Sequence, residues 1–207
     1  KGDEGWLFRV YALSVLASAF PAVLVLMFVR DYLNLEASFP VFMMSYVFAG
    51  LAFMPLWKKL GQKLGLQTAW MISMLLGIVA FVGVVFLGEG DLLAFMLICI
   101  ATGAVFGADV VLPQTLVALR VDADAQSRSQ ASGQFAFLSF LGKFALAVAT
   151  GSALVMLHFG GFTPDGQNTQ QSLFVLLCLY AFVPCVLKLL AFFSLLSAKP
   201  IFSKVSE

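Results

Sequence analysis

Three ionisable side chains sit where charge is expensive: Asp109, Lys143 and Lys188 each lie well inside long apolar runs. Lys143 is the most demanding, because the run around it, 131–157, carries no other charge. An ammonium near a bilayer centre costs at least ~2.5–3.5 kcal/mol on insertion scales, so it is retained where it meets water, a counter-charge or a ligand. The chemistry on offer is binding of an anionic or hydroxyl-rich solute. Asp109 lies ten residues before Leu119 and Lys143 twelve after Ala131, ~15 and ~18 Å from the same ends of their helices at 1.5 Å per residue. Equal depth on consecutive antiparallel helices makes Asp109 and Lys143 the expected ion pair, open to exchange with a ligand. Lys188 follows Pro184 by four residues, ~14 Å from the end at Ser197, and is expected to snorkel toward that interface or to pack against another helix.

The residues around Lys143 extend the polar theme. Ser132, Ala136, Ser139, Lys143, Ala147 and Thr150 recur at three- and four-residue steps, a small and polar stripe that either lines a cavity or allows tight helix packing. Tyr11, Ser14, Ser18 and Pro21 form a comparable face on the first apolar run. Pro21, Pro55, Pro113 and Pro184 each remove a backbone donor, and Pro113 frees the carbonyl of Asp109, so kinked or broken helices are expected near the mid-membrane acid.

These groups need elements to hold them. Of the 207 residues, 61% are hydrophobic and 11% charged, against roughly 25% charged in an average soluble protein. Six stretches, 7–29, 38–57, 67–87, 92–119, 131–157 and 172–197, approach or exceed the ~20 apolar residues that cross hydrocarbon. Backbone in lipid must satisfy its own hydrogen bonds, and the alternating segments of a barrel are missing, so the expectation is an all-α membrane protein with one six-helix bundle over 1–207. Among the cations, Lys58, Lys59 and Lys63 follow the second span, Arg120 and Arg128 the fourth, and Lys199 and Lys204 the sixth, whereas the opposite side has only Arg30. By the positive-inside rule both termini are expected to be cytoplasmic, in a cell (inner or plasma) membrane. Trp6, Trp57 and Trp70 fall at the basic ends and read as interfacial anchors. The first span is too long, and its leading Asp3 and Glu4 too acidic, for a secretory signal, and a start at Lys1 suggests a piece of something longer.

Composition and motifs also exclude functions. A net charge of +1 without runs of like charge gives no nucleic-acid partner. Cys99, Cys178 and Cys185 lie inside spans without metal-ligand spacing and read as small buried hydrophobes, leaving no metal site. The single histidine, His158, has no acid-base set around it, so enzyme activity and an organic cofactor are not expected.

Phe106-Gly107-Ala108-Asp109 through Pro113 to Asp122, then Gly133-Gln134-Phe135-Ala136-Phe137 and Lys143, resemble the carboxyl-terminal half of glycoside-pentoside-hexuronide:cation symporters. This is the melibiose permease family of the major facilitator superfamily. Pro55-Leu56-Trp57-Lys58-Lys59-Leu60 is similar to the basic loop between its eighth and ninth helices, and Leu179-Tyr180-Ala181-Phe182-Val183-Pro184 with Lys188 to its last helix in some members. The chain departs from the family in Ala118-Leu119-Arg120-Val121-Asp122-Ala123, which loses one acid and a tyrosine, and in Ser132, where the family has a glutamate.

The resemblance implies helices seven to twelve of a twelve-helix transporter whose amino-terminal bundle would be a partner. It makes Lys143 the helix-eleven lysine beside the sugar and cation region, and Ser139 a hydroxyl contact to substrate. Thr150, Ser14, Ser18, Tyr11 and Tyr46 join Asp109 as candidate pathway residues, the tyrosines as platforms for a sugar face. Lys58, Lys59, Lys63, Arg120, Asp122 and Arg128 are candidates for a cytoplasmic gate. A coupling cation, sodium or proton, is expected to bind in the amino-terminal half. The leading expectation is cation-coupled sugar or glycoside symport by alternating access in the bilayer. The alternatives are transport of lysolipids or other amphipathic solutes, and a half-size component that does not transport.

Overall fold

A computed structural model describes residues 5–123, 131–164, 166 and 168–198, and every regular element among them is helical. Helix α1 (Trp6–Met27) runs into a π-helical turn (Phe28–Tyr32), and a 3-10 turn (Glu36–Ser38) leads into α2 (Phe39–Leu64). Then come α3 (Leu66–Val84), α4 (Leu92–Ala123) and α5 (Ala131–Phe159). The sixth span is composite, with α6 (Gln170–Leu177), a π-helical turn (Cys178–Phe182) and α7 (Val183–Leu196). Six helices are long and apolar enough to cross a membrane, and each expected span falls on one.

The differences lie at the ends. Lys58, Lys59 and Lys63 are not in a loop: α2 carries them to Leu64, and Gly65 alone joins α2 to α3 at φ +89, a backbone conformation suited to glycine. Arg120 and Asp122 likewise lie on the last turns of α4. Hydropathy falls at these points, but Lys, Arg, Leu and Gln all propagate a helix, so the backbone continues into the region where their charges are solvated. At the other side Thr169 caps the sixth span, its hydroxyl accepting from the Ser172 N–H at 3.2 Å, so the helix starts at Gln170. Arg128, Asp165, Lys199 and Lys204 lie outside the described residues.

The expectation of broken helices is also corrected. The helical backbone passes Pro21, Pro55 and Pro113 without interruption, and the irregular turns are the two π segments. One ends at Phe182, two residues before Pro184, where a widened turn accommodates a ring that has no N–H to donate. The two π turns face each other, with Phe28 stacked on Tyr180 at 4.2 Å and 4°.

Helix α4 packs on α2 and α3, while α1 packs on α5 and α7 and α3 closes against α7. The buried apolar side chains fall into two clusters. One is built around Phe28, Phe42, Phe95 and Tyr180, the other around Trp57, Trp70, Leu112 and Leu116. On α1 these clusters are separated by Ser14 and Ser18, and on α7 by Lys188, so a polar layer divides an otherwise apolar interior. Trp6 and Trp57 are buried rather than anchored at an interface, and the Trp57 indole N–H donates to the Ala104 carbonyl at 2.7 Å.

The tightest helix contact comes from Gly103 and Gly107, four apart on α4, which bring its backbone against α2. A methyl at Gly107 would lie 2.5 Å from the Gly50 carbonyl oxygen, and one at Gly103 would collide with the Tyr46 carbonyl. Gly83→Ala, by contrast, reaches only ordinary contact with Ile98 at 3.6 Å. Gly103→Ala and Gly107→Ala are therefore expected to destabilise the bundle by about 1–3 kcal/mol through overpacking, and Gly83→Ala to change little. Thermal unfolding of purified protein in detergent measures the difference.

Candidate functional site

Asp109 is 5% exposed and its carboxylate is surrounded by donors from three other helices. Ser14 Oγ donates to Oδ1 at 2.9 Å and Ser18 Oγ to Oδ2 at 3.3 Å, both from α1. From α3 the Trp70 indole Nε1–H donates to Oδ1 at 3.1 Å. The ammonium of Lys188, on α7, forms an ion pair with Oδ2 and also donates to Ser14 Oγ at 2.8 Å. Lys188 is 1% exposed. A buried carboxylate needs this many donors, because an uncompensated charge at such depth costs several kcal/mol.

The local sequence explains the assembly. Ser14 and Ser18 are one helical turn apart, so both hydroxyls leave the same face of α1, and Ser18 Oγ is also within 3.2 Å of the Ser14 carbonyl. Pro113, four residues on, has no N–H to offer the Asp109 carbonyl.

The expected partnership of Asp109 with Lys143 is therefore corrected: the ion partner is Lys188. Helix α5 packs on α1 and barely touches α4, so its lysine does not enter this layer. Lys188 does not snorkel; it packs against other helices. Trp70, read as an anchor, is fully buried and is a ligand of the carboxylate. Both were legible in part, since the estimated depth of Lys188 matched that of Asp109, and Trp70 brings an N–H that needs a partner when buried.

A cleft of about 140 Å³ adjoins the pair, with Lys188 and Ser18 on one side and Tyr46, Thr102, Phe81 and Phe106 among its walls. Tyr46 thus joins Ser14, Ser18 and Asp109 in one region. Cys99 also lines this cleft. The remaining candidates lie apart. Lys143 and Ser139 are exposed on α5 and Thr150 is half-buried there, with the Ser139 and Thr150 hydroxyls turned back to the Phe135 and Leu146 carbonyls at 3.1 and 2.7 Å. Lys143 has no ion-pair partner among the described residues. Tyr11 bridges toward this face, its hydroxyl 3.8 Å from where a methyl on Gly142 would sit. Lys58, Lys59 and Lys63 are exposed on the last turns of α2, Arg120 is half-buried and Asp122 exposed at the end of α4.

The structure thus presents an acid matched by a cation and hydroxyls beside a cleft, inside six apolar helices, with a second lysine uncovered on a flanking helix. The family described as MFS/sugar transport protein matches residues 5–199. The chain belongs to this family. It is accordingly a multi-pass membrane transporter sequence, and its six all-helical spans fit the major facilitator fold. A comparison with curated proteins finds no match. No group of three or more His, Cys, Asp or Glu forms a metal site among the described residues, so an ion held here would meet one carboxylate and neutral oxygens.

Removing one partner leaves a buried charge, whereas removing both leaves a neutral gap. Asp109→Asn and Lys188→Met are each expected to lower stability by about 3–5 kcal/mol, and the double variant to recover part of that loss. A double-mutant cycle on thermal unfolding in detergent reads the coupling. Additive losses would show that the two residues act independently.

Proposed function

We propose that this chain contributes to a cation-coupled symporter that moves a sugar or glycoside by alternating access. The observation that carries the reading is Lys143, a charge deep in a span and exposed among the described residues. Lipid is an unfavourable neighbour for an ammonium, so this face of α5 is assigned to a hydrophilic pathway shared with a second six-helix half. The burial pattern supports such a neighbour: of an apolar 18-residue stretch in each span, 17% is buried in the α2 span and 22% in the α5 span, against 44–50% in the other four. In this reading Lys143 and Ser139 bind hydroxyl or anionic groups of the solute, Tyr11 and Tyr46 flank the pathway, and the coupling cation binds in the amino-terminal half. Lys58, Lys59, Lys63, Arg120 and Asp122 gate the cytoplasmic end, in the plasma or inner membrane.

The largely apolar wall of the cleft favours a second reading, in which the solute is amphipathic, such as a lysolipid. Uptake into vesicles by the full-length protein, with and without a sodium or proton gradient, tests both readings. Gradient-dependent accumulation of a labelled sugar is expected, with excess lysolipid failing to compete. Lys143→Met should weaken apparent solute affinity by roughly tenfold or more, the cost of losing a hydrogen bond to a charged group. Sugar uptake that ignores both gradients would remove the coupling. No uptake of any sugar would remove sugar transport and leave the amphipathic or non-transporting readings.

A further inference from the structure

The environment of the Lys188 ammonium is an oxygen cradle. It is bound by Asp109 Oδ2 and by Ser14 Oγ at 2.8 Å, while Ser18 Oγ lies 3.3 Å from the same carboxylate oxygen. A carboxylate from α4 and two hydroxyls from one turn of α1 form the kind of hard oxygen set that holds a small cation. Here the positive charge that fills it is the chain's own side chain, tethered from α7 and bordering the cleft through which a solute could arrive.

We propose that Asp109, Ser14 and Ser18 form a site for a small monovalent cation, occupied in this chain by the tethered ammonium of Lys188. The site needs no external ion as long as the tether is in place. Its selectivity is for a single positive charge of small radius, since the carboxylate supplies one negative charge and Trp70 already saturates part of Oδ1. Loss of the lysine amine exposes the cradle to sodium or lithium, and a free primary ammonium ion also fits. The site is separate from the face of Lys143 and from a cation site in an amino-terminal half, so the proposal stands independently of symport.

Thermal unfolding of full-length protein in detergent provides the test, with sodium, lithium or choline chloride at equal ionic strength. The wild type, Lys188→Met and Asp109→Asn/Lys188→Met are compared. Lys188→Met is expected to gain roughly 5–10 °C from sodium or lithium over choline at about 100 times the dissociation constant, beyond any gain in the wild type. The double variant should lose that extra gain. Equal responses of Lys188→Met and the double variant would overturn the proposal and leave a purely structural ion pair. If Lys188→Met does not survive extraction, Lys188→Ala is purified in methylammonium or choline chloride. Greater recovery of folded protein in methylammonium supports the cradle, and equal recovery overturns it.

Discussion

One ionised carboxylate, buried between two apolar clusters, dictates how most of this bundle fits together. Asp109 cannot be left unmatched at that depth, and its four donors come from α1, α3 and α7. Apolar packing alone constrains helix rotation weakly in a membrane, because lipid competes on equal terms with a leucine. A charge with specified donors does not tolerate rotation: turning α1 by one residue would carry Ser14 and Ser18 away, and turning α7 would withdraw Lys188. The pair therefore supplies orientation more than net stability, in keeping with the finding that buried ion pairs roughly offset their own desolvation. Helix α2 is fixed by a different device, the close backbone approach at Gly103 and Gly107.

That division explains how much was readable in advance. The six spans followed from hydropathy, since length and apolarity are properties of one segment at a time. Their basic ends were misplaced because hydropathy marks where lipid stops and not where hydrogen bonding stops, so Lys58 and Lys63 on α2 read as loop. The membership of Ser14 and Ser18 in a polar face was legible from four-residue spacing. The identity of the ion partner was not, because three charges at depths of ~14, ~15 and ~18 Å admit more than one pairing and sequence adjacency favoured the wrong one. The deciding facts were the packing of α5 on α1 and of α7 against α1 and α3, which are relations between segments. Trp70 was misread for a related reason: an indole at a span end suits an interface and equally suits a buried acceptor.

The two lysines now separate by their electrostatic state. Lys188 is cancelled by Asp109, so the interior polar layer is close to neutral and imposes no attraction on a distant charge. Lys143 has no such match among the described residues, although it stands ~18 Å inside its span by sequence. If both lysines faced acids within this half, the six helices would be electrostatically complete. Because among the described residues one does not, its compensation is left to other groups: water, an anionic or hydroxyl-rich solute, or an acid on a facing helix. An ammonium whose compensation can change during a cycle is what a carrier needs at a pathway, while a permanently matched pair is what it needs in a scaffold. In the proposed carrier Lys143 takes the first role and Lys188 the second, and the exposed face of α5 is where the exchange of compensation would take place.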